Sequence, residues 1–309
     1  MRRLTALELL VMHLINNKSK GTVLNQLVWP IIYPIDPMTI LKKLIEDGII
    51  IENSDLNLTL AKLKNPELKK LLKLNELKVT GNKSELVSRL IENDADLSNL
   101  YLPNVYTINN EYISIYKETD FLMEFIHGID VSIEDAYRYY LAHPGITDFE
   151  LKVGIYSDRM KYWLKSDKEK SIYEIKSLCY KLSELYFQQK EYNLGFHYLN
   201  IAYLINILLS FKRYIFNHEF YNVKIDIPIS SIDLIKYRSA LANNLFTLSQ
   251  LEDDLMNAIK PFKFSNKVKR NSVKFMIAFI QDEFVDSKMF LKGLKPRDFN
   301  NDSNINLLN

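Results

Sequence analysis

Cysteine is nearly absent from this chain of 309 residues: Cys179 stands alone, so no intrachain disulfide framework exists and a reducing compartment is expected. It lies among Leu178, Tyr180 and Leu182 in a helical pattern, which reads as a packed thiol. Glycine is scarce too, with 8 residues, leaving little material for the flexible loops that cradle nucleotides. There is no Gly-rich phosphate loop ending in Lys-Ser/Thr, no Gly-x-Ser-x-Gly elbow and no zinc-ligand spacing. His13, His127, His143, His197 and His218 stand apart from one another and from carboxylates along the sequence, so no metal or cofactor is expected. No uncharged apolar run reaches the length of a bilayer crossing. The nearest, Tyr198 to Phe211, contains Asn200 and Asn206 and reads as a buried helix. Met1-Arg2-Arg3 leads into no cleavable signal pattern. These absences favour a soluble, cytoplasmic, non-enzymatic protein with no membrane partner.

What is present is positive charge in the wrong proportion. The whole chain carries a net +2, yet residues 62–89 alone carry eight basic side chains against Glu67, Glu76 and Glu85, a net +5. Within that stretch, Asn65 followed by Pro66 is a helix start, and Leu68, Leu71, Leu72 and Leu74 mark an apolar side opposite Lys69, Lys70 and Lys73. A loop from Asn75 to Asn82 follows. A second helix opens near Lys83 or Ser84 and carries Leu86, Leu90 and Ile91 at core spacing, with Arg89 on the other surface. Backbone N–H groups from Gly81 to Ser84 at that helix start favour a phosphate, and Lys78, Lys83 and Arg89 would neutralise its neighbours.

The run from Leu77 to Leu90, LKVTGNKSELVSRL, resembles the SAP motif, a small helix-loop-helix module associated with DNA binding. Leu77, Thr80, Gly81, Lys83, Leu86, Arg89 and Leu90 match its pattern position by position. Glu76 departs from it, because the family usually has glycine there to end the first helix in a left-handed turn; Asn75 is the alternative supplier of that turn. The resemblance implies a partner, double-stranded DNA bound largely without regard to sequence. The expected contacts are Lys73, Lys78, Thr80, Gly81, Asn82, Lys83, Ser84 and Arg89.

Around this module the chain reads as mainly α. Leu7, Leu10, Val11 and Leu14 mark a first helix, a short second one is expected over Val23 to Val28, and Asp36-Pro37 starts a third that Gly48 stops. With a strand over Ile49 to Glu52, residues 1–53 resemble the start of a winged helix. Its third helix offers only Lys42 and Lys43 as basic contacts, so a protein-binding or purely structural winged helix is an equal reading. Residues 54–97 are then the SAP-like module, and 98–117 hold return strands at Tyr106 to Ile108 and Tyr112 to Ile115.

After about residue 118 the composition turns helical and aromatic. Leu182, Ser183, Tyr186, Gly195, Leu199 and Ala202 resemble one tetratricopeptide hairpin with no second copy in register, so 118–297 read as an irregular helical interaction bundle. Further helices are expected over Ser231 to Met256 and Ser265 to Phe284, with Pro228 and Pro261 before them, and 298–309 as a disordered tail. Tyr180, Tyr186, Tyr192, Tyr198 and Tyr203 exceed what one hairpin buries. That excess suggests a homodimer or a protein partner through the C-terminal helices.

Residues 260–297 form a second basic run, ten basic against three acidic, interleaved with phenylalanines that would stack on single strands or, at Phe275 and Phe279, bury. Asp148, Glu150 and Lys152 would suit a metal-dependent nuclease if they lay on one face of a strand, but the flanks look helical after the Pro144-Gly145 turn, and the segment reads instead as a helix start with an ordinary Glu-Lys surface. Isoleucine, asparagine and lysine richness points to a low-GC bacterium or a phage. A phage or defence adaptor with a merely structural SAP-like segment is the rival reading.

Overall fold

The computed structural model describes residues 2–24, 29–97, 100–166, 171–221, 229–281 and 285–299. The chain is mainly helical and divides into two units, Met1–Ala142 and His143–Asn309. The division falls later than the compositional change near 118 suggests, because the helices after 118 pack onto the first helix of the chain.

In the first unit, α1 (Ala6–Ile15) starts from Thr5, whose hydroxyl accepts the Glu8 N–H while the Glu8 carboxylate accepts the Thr5 N–H. Leu9, Leu10, Val11 and Met12 are all fully buried, so α1 is a central helix and not an amphipathic one. It packs against α3 (Pro37–Glu46), which follows the one-turn α2 (Trp29–Ile32). Residues 25–28 of the expected second helix lie outside the described residues. Asp36 caps α3, as its sequence suggests, and Gly48 (φ +68) ends it. Lys43 reaches Glu8 and Lys42 faces Glu46, so both basic groups of this helix have partners inside the protein.

Strand β1 (Ile50–Asn53) pairs antiparallel with β2 (Val105–Ile108), Ile50 opposite Ile108 and Asn53 opposite Val105. The SAP-like segment is therefore inserted between the two strands of one ladder. Between them run α4 (Leu56–Leu60), α5 (Asn65–Leu74) and α6 (Lys83–Glu92). The expected return strand at Tyr112–Ile115 is instead helical. Asn109 accepts the Glu111 N–H and launches a 3₁₀ turn over Asn110–Tyr112, which runs into α7 (Ile113–Glu118). A 3₁₀ stretch, Asp120–Phe125, and α8 (Ile133–Ala142) then close over α1.

In the second unit, α9 (Asp148–Leu164) packs on α10 (Ser171–Gln188), and α10 on α11 (Tyr192–Tyr221). The hairpin expected around Gln188–Tyr192 forms. Its second arm runs 30 residues, because nothing between Phe196 and Phe211 breaks the helix. The tetratricopeptide resemblance is not confirmed. Residues Tyr192–Phe216 are long and apolar enough to cross a bilayer by length and composition alone, yet Leu204, Ile205, Ile207, Leu208 and Phe211 are fully buried in this unit.

The stretch Ser231–Met256 breaks into α12 (Ser231–Ala242) and α13 (Leu248–Ile259), with Asn244 in the left-handed region at the turn. Helix α14 (Asn266–Gln281), α15 (Lys288–Leu291) and a 3₁₀ turn over Pro296–Phe299 complete the unit. Phe299 is buried against Phe216 and Phe264, so the ordered chain continues past the expected start of the tail at Asp298. Pro228, Phe284 and residues 300–309 lie outside the described residues.

Candidate nucleic-acid interface

The inserted segment has its own core. Leu60, Leu68, Leu72, Leu86, Val87 and Leu90 are buried together, and Leu77, Val79, Leu97 and Leu102 pack against them. Each fully buried aliphatic side chain contributes roughly 1.5–3 kcal/mol. So small a unit still needs cover, and α4, Leu97 and Leu102 supply it. Leu74 departs from the expected apolar stripe: it is 71% exposed, on the rim of a 540 Å³ groove shared with Leu63, Leu71 and Leu97.

Local hydrogen bonding explains the helix ends. The cap of α5 is Lys64 and not Asn65, because the Glu67 carboxylate reaches back to accept the Lys64 N–H at 2.5 Å. At the other end Asn75 keeps φ −98, and Glu76 itself takes the left-handed turn at φ +55. The Leu77 N–H donates to the Leu72 carbonyl at 2.7 Å and the Glu76 N–H to that of Lys73, the Schellman pattern. Leu77 is thereby turned under both helices. Helix α6 ends the same way at Asp94 (φ +43), with the Ala95 N–H donating to the Leu90 carbonyl. Asn75 also accepts the Asp96 N–H at 2.7 Å, tying the end of α5 to the exit of α6.

The start of α6 differs from the expected anion cradle. Asn82 caps it, accepting the Glu85 N–H at 3.0 Å and the Ser84 hydroxyl at 2.6 Å. The Glu85 carboxylate accepts the Asn82 N–H at 2.9 Å and lies against Gly81 (φ +132), where a Cβ would collide with it. One of the backbone donors assigned to phosphate, the Asn82 N–H, is thus already used, the Ser84 hydroxyl is turned to Asn82, and a negative charge sits beside them. Arg89 is also not free: its guanidinium donates to the Lys78 carbonyl at 2.5 Å and the Thr80 carbonyl at 2.9 Å, bracing the loop from beneath. The loop glycine and the terminal arginine of the pattern therefore build the loop.

Lys73, Lys78, Thr80 and Lys83 are exposed, as are Lys69 and Lys70. Among the described residues none of these lysines forms an ion pair. Sequence patterns did not place Lys18 or Lys62 in the site. Lys62, in the turn between α4 and α5, donates to Asn17 Oδ1 at 2.6 Å. Burial, and then the charges of Lys18 and Lys83, hold its ammonium below the usual lysine range. No local pattern signals this, since the residues lie more than one element apart in the chain.

Asp148, Glu150 and Lys152 lie in the first turns of a helix, not on a strand: Thr147 and Glu150 form a capping box, and Lys152 pairs with Asp148 at 2.9 Å. Among the described residues no group of His, Cys, Asp and Glu could hold a metal ion. Cys179 is buried, its thiol pushed up to about 12 by burial. Phe262 and Phe275 point into the second unit, and Phe275 packs against Phe211, Phe279 and Phe290, so these rings offer no stacking platform. His197, read as isolated, meets Asp254 at 2.8 Å across 57 positions.

No curated protein and no solved structure matches the chain. A family model described as SAP domain matches residues 59–95, spanning the end of α4, both helices and the loop between them. Neither the winged-helix nor the tetratricopeptide resemblance is confirmed by it. Residues 59–95 are thus a SAP domain, a module whose family points to nucleic-acid binding, carried as an insertion in a two-stranded ladder.

Proposed function

We propose that this protein binds double-stranded DNA, largely independent of sequence, through the lysine-bearing face of its SAP domain. The observation that carries the reading is the set of exposed, unpaired ammonium groups at Lys73, Lys78 and Lys83 on a rigid module whose own arginine and glutamate are used internally. Such a surface neutralises backbone phosphates without a base-reading helix. Thr80, Gly81, Asn82, Ser84 and Arg89 then act by holding the loop that presents the lysines.

The second unit serves protein contact. It displays Ile232 and Ile235 on α12, 67% and 63% exposed, and a 500 Å³ pocket lined by Phe187, Tyr192 and Phe196. Within the unit Tyr180 packs on Tyr203 and Tyr186 stacks on Tyr198, which leaves Tyr192, 43% exposed, as the hairpin tyrosine presented to a partner.

A mobility assay across a salt series tests the DNA reading. Lys73→Gln with Lys78→Gln and Lys83→Gln in the full chain should weaken binding and lower the salt slope by about 0.9 for each phosphate that is no longer neutralised, with the melting temperature unchanged. Equal affinity in the folded triple variant refutes the role. A second reading, a SAP domain that contacts protein, is favoured by the leucine-lined groove at Leu74. Absence of any salt-dependent DNA binding by the unaltered chain would select it.

A further inference from the structure

We propose that the DNA-binding surface does not end with the SAP domain but continues through Lys62 onto Lys18, making a composite backbone-phosphate site shared with the loop that follows α1. The inference rests on the DNA reading above and extends it to residues outside the SAP core. Three observations converge on this corner of the first unit.

The first is positional. Asn17 takes the left-handed conformation at φ +61 and swings the chain away from the end of α1. Its N–H donates to the Tyr106 carbonyl at 2.8 Å, the Tyr106 N–H donates to the Lys18 carbonyl at 2.8 Å, and the Lys20 N–H to that of Asn104 at 2.6 Å. Residues 17–20 are thereby stitched to the strand by which the chain leaves the SAP domain. The Lys62–Asn17 hydrogen bond fastens the SAP domain's opening turn to the same loop. Lys18 is held at a fixed place beside the domain.

The second is electrostatic. Lys62 feels both Lys18 and Lys83 closely enough that, after burial, their charges are what lower its proton affinity. Lys18 and Lys83 are exposed and form no ion pair among the described residues. Lys20, next in the loop, is different: Glu52 neutralises it at 2.5 Å. A fixed group of like charges repels itself in the free protein, and a polyanion removes that repulsion on binding.

The third is geometric. Lys83 is the first residue of α6, Lys62 lies in the turn before α5, and the Lys62 ammonium reaches Asn17, so the cluster links the start of α6 to the loop after α1. A duplex backbone following Lys78 and Lys83 meets Lys62 and Lys18 next. Backbone contacts of this kind fix register and orientation, which gives a small module a defined way to lie on DNA.

The test uses the full chain and a non-specific duplex across a salt series. Lys18→Gln with Lys62→Gln should weaken binding about tenfold and lower the salt slope by about two, at unchanged melting temperature. The control pair Lys42→Gln with Lys117→Gln, in the same unit and the same change of net charge, should stay within twofold. If Lys78→Gln with Lys83→Gln weakens binding while the Lys18 and Lys62 pair does not, the composite site is refuted and the SAP reading stands. If the control pair loses as much as the Lys18 and Lys62 pair, the effect is net charge alone and the composite site is likewise refuted. If the unaltered chain binds no duplex, both readings fall together.

Discussion

Glu76 occupies a backbone position that glycine fills at no steric cost, φ +55 at the end of α5. For a residue with a Cβ this conformation costs about 1–2 kcal/mol, and Glu76 also sets a negative charge within a surface meant for phosphate. Glu76→Gly should therefore stabilise the first unit by about 1 kcal/mol, less the entropy glycine adds to the unfolded chain, and tighten DNA binding. Chemical denaturation checks the first effect. Glu76→Ala separates the two: it should tighten binding without the gain in stability. The match to the SAP pattern was legible from Leu77, Gly81 and Arg89. That Glu76 and not Asn75 bends the chain was not, because asparagine tolerates the left-handed conformation better than glutamate and the choice is made by the Leu77 N–H reaching Leu72.

At the level of elements, a chain with few glycines ends several helices on other residues. Glu76, Asp94, Lys190 and Asn244 all take the left-handed turn, and each is followed by a residue whose N–H closes the Schellman bond. Gly195 has another task. A Cβ there would sit 2.8 Å from the Phe187 ring, and its carbonyl accepts the buried Ser183 hydroxyl at 2.8 Å. The α10–α11 contact is thus close-packed through a missing side chain, so Gly195→Ala should cost about 1–3 kcal/mol by overpacking despite alanine's better helix propensity. Thermal unfolding decides it; a stabilised variant would mean that Phe187 moves freely. Periodicity alone read this glycine as an ordinary small residue of a helical hairpin.

At the scale of the molecule, a polar network in the second unit runs from the buried Tyr237 and Asn200 out to the part-exposed His197 and Asp254. Tyr237 donates to the buried Asn200 at 2.6 Å, Asn200 donates to Asp254 at 2.6 Å, and His197 completes the set at 2.8 Å. The Asp254 hydrogen bond, against the opposing effect of burial, raises the His197 proton affinity above the usual range. Burial alone would raise the Asp254 carboxyl, but hydrogen bonds from His197 and Asn200 outweigh it and hold the carboxyl low. A raised histidine contributes stability that is fully present below its unfolded value, near pH 6.5, and is lost as pH rises through the folded value. Denaturation midpoints should fall as pH rises above about 6.5 in the unaltered chain, and His197→Gln should flatten that fall. A pH-independent midpoint in the unaltered protein would contradict the pairing.

The sequence by itself determined the helical class, the SAP domain and its lysines, the cap at Asp36, and the burial of the long apolar stretch in α11. These depend on residues within a few turns of one another, where backbone hydrogen bonding and side-chain periodicity act directly. Tertiary structure decided that the SAP domain is an insertion between two paired strands, that Glu85 fills the expected anion cradle and Arg89 braces the loop, and that Lys18 lies beside Lys62 and Lys83. It also joined His197 to Asp254 and kept Phe262 and Phe275 of the C-terminal basic run inside. These outcomes turn on which groups distant in the chain come within a few ångströms, where a carboxylate or a carbonyl competes with a ligand for the same donor.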